Sequence, residues 1–143
     1  KGRYALAAAV SMAQQYPSGE TVTLVSISEK LGISKIYLEQ VFSLLRRGGL
    51  VASVKGAQGG YRLARAPRFI SAWDILSAVE TSLFDRTEPT VPDNAPHIEH
   101  AILSSVFEPL DRSASEVLSA VSLGDLVGAA QRHESDGTAM FYI

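Results

Sequence analysis

Residues 23–49 read TLVSISEKLGISKIYLEQVFSLLRRGG, and this stretch decides the fold. Thr23 and Ser34 each precede a segment with helical apolar periodicity, as residues with capping hydroxyls do. Gly32 ends the first segment, and the pair Gly48-Gly49 ends the second. Two helices separated by Gly-Ile-Ser predict a helix-turn-helix.

The flanking sequence extends this motif to a winged helix over residues 1–65. Residues 4–16, YALAAAVSMAQQY, are rich in residues that favour a helix. Residues 50–54, LVASV, and 61–64, YRLA, have the alternation of strands and flank a glycine-rich, basic tip, KGAQGG. The sequence therefore predicts a mainly α fold with a small β-hairpin wing.

The second half of the chain predicts a long helix beyond a linker. Ser71 precedes a helical segment, residues 84–96 are rich in Pro, Asp, Thr and Asn, and apolar residues then recur with helical spacing from 98 to 121. Pro109 is expected to kink this helix or to split it in two. The expected units are a winged helix-turn-helix DNA-binding domain (1–82), a linker (83–96), a dimerisation helix with a short terminal helix (97–131), and a flexible tail with an apolar end (132–143).

Charge is distributed unevenly along the chain. Residues 1–70 contain ten Lys or Arg and three Asp or Glu, whereas residues 71–143 contain three and twelve. A basic half joined to an acidic half indicates that the first half meets a polyanion. The chain has no cysteine, which excludes disulfides and thiolate ligands. Without a visible signal peptide or spanning segment, a cytoplasmic location is expected.

A winged helix places the start of its second helix at base edges in the major groove. Side chains there and at the wing tip are expected to contact DNA, because Gln and Glu distinguish bases and glycines let the backbone approach closely. The expected contacts are Lys1, Arg3, Tyr4, Ser34, Lys35, Ile36, Glu39, Gln40, Ser43, Lys55, Gly56, Gln58 and Arg62. The alternatives are an adaptor that no longer binds DNA and an enzyme, although the sequence contains no nucleophile elbow, P-loop or zinc-protease motif.

Four blocks resemble a family of bacterial winged-helix regulators that includes IscR, NsrR and CymR. They are residues 1–4 (KGRY), 33–40 (ISKIYLEQ), 44–51 (LLRRGGLV) and 53–63 (SVKGAQGGYRL). The resemblance implies a homodimeric repressor or activator, with Glu39 and Gln40 as base readers, Lys55 in the minor groove, and a native start upstream of Lys1. It also implies that the long helix is the dimerisation helix.

The apolar stripe of the long helix cannot be buried within a lone helix, which also predicts pairing with a second subunit. The residues expected in this seam are Ile98, Ile102, Val106, Leu110 and Val117.

This chain departs from the family at the sensing region. Cluster-binding members carry three cysteines in the stretch equivalent to residues 84–105, and this chain has none. His97, Glu99 and His100 are poor zinc ligands as a set, because adjacent residues point to different faces of a helix. No metal or cofactor is expected, so the signal is expected through a partner or a small molecule bound near the linker.

The last four residues, Met140, Phe141, Tyr142 and Ile143, are apolar. They resemble the end of the CymR branch of the family, which also lacks the cysteines. The resemblance implies repression of cysteine-metabolism genes and a signal from cysteine synthase (O-acetylserine sulfhydrylase), whose pocket would take the isoleucine side chain and its carboxylate. The alternative is that the tail packs against the protein's own core.

Overall fold

The structure is a computed structural model that describes residues 1–80 and 88–141, with side chains described as far as residue 137. Seven α-helices and one hairpin make up this part of the chain. Their bounds are α1 (Gly2–Gln15), α2 (Leu24–Leu31), α3 (Lys35–Arg47), β1 (Val51–Val54), β2 (Gly60–Leu63), α4 (Ala72–Val79), α5 (Pro96–Ile102), α6 (Glu108–Ser119) and α7 (Leu123–Phe141). Short 3₁₀ turns lie at Tyr16–Ser18 and Pro67–Phe69, and a π-helical segment lies at Leu103–Phe107.

The helix-turn-helix forms as the sequence predicts, and its ends are fixed by local hydrogen bonds. The Thr23 hydroxyl accepts from the Ser26 N–H (3.1 Å), and the Ser34 hydroxyl accepts from the Tyr37 N–H (3.4 Å). Gly32 ends α2 in the left-handed conformation (φ 68°), which glycine adopts without a Cβ clash. Gly32 and Ser34 therefore fix the short turn between α2 and α3, and Thr23 fixes the start of α2.

The core is formed mainly by α1, α3 and α4. Leu38, Val41, Phe42 and Leu45 point inward from α3 and are almost completely buried. The buried side of α1 consists of alanines and Met12, and the small alanines let α1 pack closely against α4 and α7. Because the apolar side of α3 is used in this way, its opposite side is left to solvent.

The wing is an antiparallel hairpin in the register Val51↔Leu63 to Val54↔Gly60. Its second strand also pairs with the segment before α2, where the backbone groups of Val22 and Tyr61 exchange two hydrogen bonds of 2.8 Å. The Tyr61 ring packs against Phe42, with 4.9 Å between ring centroids. The wing is therefore attached to the helix-turn-helix by both backbone and side chains.

The long helix is continuous rather than split at Pro109. α5, the π-helical segment and α6 follow one another without a break from residue 96 to 119. Proline has no N–H to donate and its ring crowds the preceding turn. The wider π-helical turn comes directly before Glu108 and Pro109 and makes room for the proline ring. The helix can therefore continue past Pro109, as helices with a single π-helical turn commonly do.

The end of the chain differs most from the sequence-based expectation. The short terminal helix and flexible lead over residues 132–138 are replaced by the single helix α7, which continues to Phe141. Ser122 and Asp125 cap its start reciprocally, with N–H···O distances of 2.9 and 3.0 Å. Leu123 is completely buried in the winged-helix core, so the first turn of α7 belongs to that core.

Two further expectations concern the linker and membrane-spanning segments. In the predicted linker 83–96, residues 83–87 lie outside the described residues, and residues 88–95 contain no helix or strand. No helix within the described ranges is long and apolar enough to cross a membrane.

Candidate nucleic-acid interface

All thirteen residues expected to contact DNA are exposed. Those on α3 lie opposite its buried side, and Ile36, Gln40, Ser43 and Arg47 follow one another at helical spacing. The start of α3 is open to solvent, and Ile36 exposes 71% of its surface. This end of the helix can therefore enter a groove without rearrangement of the core.

The start of α1 is packed against α3 by an aromatic pair. The rings of Tyr4 and Tyr37 meet edge to face, with 5.2 Å between centroids. Lys1 and Arg3, the expected phosphate contacts, precede and follow Gly2 at this end of α1. The structure therefore places the start of α1 beside the start of α3.

The wing tip is exposed, and hydrogen bonds and close approaches of its backbone fix its conformation. The Gly59 N–H donates to the Gly56 carbonyl (3.0 Å), and the Thr21 hydroxyl donates to the Gln58 carbonyl (2.8 Å). A Cβ on Gly59 would lie 2.5 Å from the Val54 carbonyl oxygen, so only glycine fits there. Lys55 stands at the start of this tip with its side chain exposed.

A basic cleft between α3 and the wing is the feature that the sequence analysis missed. It is lined by Ser43, Arg46, Arg47 and Tyr61 and has a volume of about 370 Å³. Two guanidinium groups and two hydroxyls can together donate to a phosphate. In the sequence, the Arg46-Arg47 pair at the end of α3 indicates a basic site. That Tyr61 lies beside these arginines depends on the hairpin register, which the sequence alone does not give.

Arg62 lies on the other face of the hairpin. Successive residues of a strand point to opposite sides, and Tyr61 faces α3. Arg62 instead lines an open pocket of about 580 Å³ together with Met12, Tyr16 and Ala52. The structure does not bring Arg62 into the cleft that contains Tyr61.

The cations of this surface are not neutralised by carboxylates within the part of the chain that the structure describes. The ion pairs found there join Arg65 to Asp74 and the Lys1 amino group to Glu80. Lys35, Arg46, Arg47 and Lys55 form no ion pair with another described residue. An exposed surface with unpaired cations attracts a polyanion, and the attraction weakens with salt.

A stripe of exposed apolar side chains runs along α5 and α6. Ile98, Val106, Leu110 and Val117 are exposed, up to 63% at Val117, whereas Ile102 is half-buried. Leu103, which the sequence analysis did not include, is also exposed. Contiguous apolar side chains on a helix of this length are typical of a surface that another chain covers.

The donor set near the start of α5 does not fit an iron site. Iron–sulfur clusters are held by thiolates, and the chain has no cysteine. The Glu99 carboxylate accepts from the backbone N–H groups of Thr90 (3.1 Å) and Val91 (3.0 Å), so it anchors the preceding segment to α5. In the described ranges, no three or more His, Asp or Glu side chains are grouped to hold a metal ion.

The expected partner-binding tail, residues 140–143, lies partly outside the described residues. Met140 and Phe141 lie in the last turn of α7, and their side chains are outside the described residues. Tyr142 and Ile143 lie outside the described residues entirely.

The winged helix and its exposed basic face define a DNA-binding transcriptional regulator. The family model described as "Rrf2: Iron-dependent Transcriptional regulator" matches residues 1–129, and the chain belongs to this family. A curated relative, the HTH-type transcriptional regulator IscR of Aliivibrio salmonicida, is 40% identical over 127 residues, which are 89% of this chain and 74% of the relative. The relatives are regulators of transcription, not enzymes.

Solved structures agree with this assignment. The structure of T. potens IscR has a TM-score of 0.70 and 39% identity, and the match covers 90% of this chain and 84% of that one. CymR, described as the global cysteine regulator of B. subtilis, has a TM-score of 0.68 and 31% identity, with coverage of 90% and 93%. Identity is thus higher to these IscR proteins than to CymR, and membership of the CymR branch stays an interpretation of the sequence.

Proposed function

We propose that the protein regulates transcription as a homodimer that binds a roughly palindromic operator. In each subunit, the start of α3 enters the major groove, and the wing tip and the start of α1 contact the backbone or the minor groove. The observation that carries this proposal is the set of exposed cations around α3 that pair with no carboxylate in residues 1–80 and 88–137. A protein with this role acts where the chromosome lies, in the cytoplasm.

The apolar stripe on α5 and α6 supports the dimer. A two-fold interface uses the same surface of both subunits, so each stripe would cover the other. The two recognition helices would then stand about 34 Å apart, one turn of DNA. An adaptor that no longer binds DNA would have no use for the cations at Lys35, Arg46 and Lys55.

Binding to fluorescent duplexes tests this function directly. A library of genomic fragments is enriched with the protein, and the anisotropy of an enriched duplex is measured at two salt concentrations. We expect one preferred sequence with two half-sites and an affinity that falls steeply with salt. Absence of binding to any duplex at low salt would refute the proposal and leave the adaptor function.

We also propose, on the resemblance of residues 140–143 to the CymR branch, that the target genes serve cysteine and sulfur metabolism and are repressed. In that case cysteine synthase would capture Ile143 through its side chain and carboxylate. The test compares the chain ending at Ile143 with one lacking that residue for binding to cysteine synthase, with and without O-acetylserine. Equal binding by the two chains would exclude this partner.

A small-molecule effector is the alternative, because an open cavity lies beside residues 88 and 89. Its volume of about 650 Å³ is typical of ligand pockets, and its walls come from α5 and α6. The lining is acidic, because it combines Leu103 and Arg112 with the carboxylates of Glu88, Glu99, Glu108 and Asp111, and it suits a small ligand with a cationic group, such as the amino group of an amino acid. An amino-acid panel in a thermal-shift assay, with Asp111→Asn as the variant, would identify such a ligand.

A further inference from the structure

Ile36 is exposed in a place where the fold has no use for an apolar side chain. Of the large hydrophobic residues that the structure describes, it has the highest exposure, 71%. Two other exposed groups have a structural explanation, since Tyr4 packs on Tyr37 and the stripe on α5 and α6 suits the dimer interface. A β-branched residue at an exposed helical position also favours the helix less than alanine would. Neither the core nor helix stability therefore accounts for Ile36.

The position of Ile36 places it among the base-reading side chains. It is the second residue of α3, and in a helix-turn-helix the N-terminal residues of this helix meet the base edges. Gln40 lies one helical turn further on the same face, about 6 Å along the axis. Base pairs are stacked about 3.4 Å apart, so the two side chains face positions one or two base pairs apart.

The chemistry of the major groove then restricts what Ile36 can recognise. An isoleucine has no hydrogen-bonding group, and the apolar group that a base pair presents there is the C5 methyl of thymine. The stiff χ1 of a β-branched side chain holds the apolar surface ready for contact with little loss of side-chain freedom on binding. Of the charged neighbours, Lys35 is suited to a phosphate and Glu39 to a hydrogen-bond donor on a base.

We propose that Ile36 selects thymine at one position of each half-site by packing on its C5 methyl group, within two base pairs of the base that Gln40 contacts. This inference rests on the proposed function, because it assumes that α3 enters the major groove. It adds the identity of a base and the group on that base that is read. Contact between two apolar groups gives selectivity without a hydrogen bond, and its strength scales with the buried apolar area.

The experiment removes the methyl group from the DNA and the apolar side chain from the protein. A duplex enriched from a randomised library serves as the probe, and each thymine of one half-site is replaced in turn by deoxyuridine, which lacks only the methyl. Wild-type protein, Ile36→Ala and Ile36→Val are compared by fluorescence anisotropy. Because Ile36 is exposed, both variants are expected to keep the helical circular dichroism of the wild type.

We expect deoxyuridine at one position to weaken binding of the wild type about fourfold, the effect of burying one methyl group. The same replacement should leave Ile36→Ala unaffected, while Ile36→Val, which keeps a branched apolar surface, should retain most of the sensitivity. If the enriched duplex binds but no deoxyuridine effect depends on residue 36, this inference is wrong and the proposed function stands. If no duplex is enriched at all, both are wrong.

Discussion

The carboxylate of Glu80, just after α4, accepts a hydrogen bond of 2.8 Å from the backbone N–H of Gly2, at the start of α1. The first N–H groups of a helix have no partner within it, so Glu80 satisfies one of them from a distant part of the sequence. Negative charge is also favourable at a helix N-terminus. The interaction ties the end of α1 that carries Arg3 and Tyr4 to the chain that leads toward α5.

Replacement of Glu80 by Gln should lower stability at neutral pH and remove part of its pH dependence. The hydrogen bond from Gly2 lowers the pKa of Glu80 below its usual value. A depressed pKa in the folded state gives stability that is present above the unfolded pKa and is lost as the pH falls through the folded one. The free energy of unfolding of the wild type should therefore exceed that of the variant at pH 7. The two free energies should converge as the pH falls from about 5 to 3.

Urea unfolding at pH 7 and pH 3 measures this difference. Glu29→Gln is the control, because Glu29 is an exposed carboxylate on α2 for which the structure records no ion pair with another described residue. Operator affinity of Glu80→Gln should also fall, since the hydrogen bond that ties the end of α1 to α4 loses its charge and becomes weaker. A constant difference between wild type and Glu80→Gln at both pH values would show that the carboxylate charge plays no part.

The basic cleft predicts two phosphate contacts at the end of α3. Arg46→Gln and Arg47→Gln should each weaken binding to specific and non-specific duplexes alike, because a phosphate carries no sequence information. Each should also reduce the slope of log affinity against log salt by about 0.9. Lys30→Gln removes the same charge from α2, where Lys30 is bound to the Gln14 side chain (2.7 Å), and serves as the control. An unchanged salt slope in both arginine variants would exclude the cleft from the interface.

Sequence reasoning was sufficient where structure is decided by neighbours in the chain. Thr23, Gly32 and Ser34 act through hydrogen bonds and backbone angles within a few residues, so the helix-turn-helix could be read directly. The cleft could not be read in this way, because Tyr61 and Arg46 meet only after the hairpin folds against α3. The orientation of Arg62 likewise depends on which face of the hairpin packs inward.

The length of α7 was missed for a different reason. The polar stretch 132–138, RHESDGT, suggested a flexible lead, but a polar surface does not prevent a helix. Ala129, Ala130, Gln131 and Arg132 favour helix formation, and the packing of Leu123 into the core fixes the start of the helix. Propagation from a fixed first turn requires less free energy than nucleation does, so the helix continues through residues that would not begin one.

Gly59→Ala should damage the wing tip and weaken DNA binding. The added Cβ would lie 2.5 Å from the Val54 carbonyl oxygen and 2.9 Å from that of Gly56, and backbone atoms cannot yield as a side chain does. We expect a loss of about 1–3 kcal/mol in stability, typical of overpacking. Thermal unfolding and anisotropy measure the two effects. Ala57→Ser, an exposed position in the same tip, is the control, and equal behaviour of the two variants would contradict the prediction.

A charge in the exposed apolar stripe should separate the subunits. Leu110→Asp places a carboxylate on the face that includes Leu103 and Val117. Burial of this carboxylate in the dimer interface without a partner would cost roughly several kcal/mol. We expect a monomer at micromolar concentration in sedimentation, with the winged helix still folded. Operator affinity should fall at least about a hundredfold, because a single half-site loses the effect of bivalent binding. Ser119→Asp adds the same charge on the opposite side of α6 and should leave the dimer intact. A Leu110→Asp protein that remains dimeric would place the interface elsewhere.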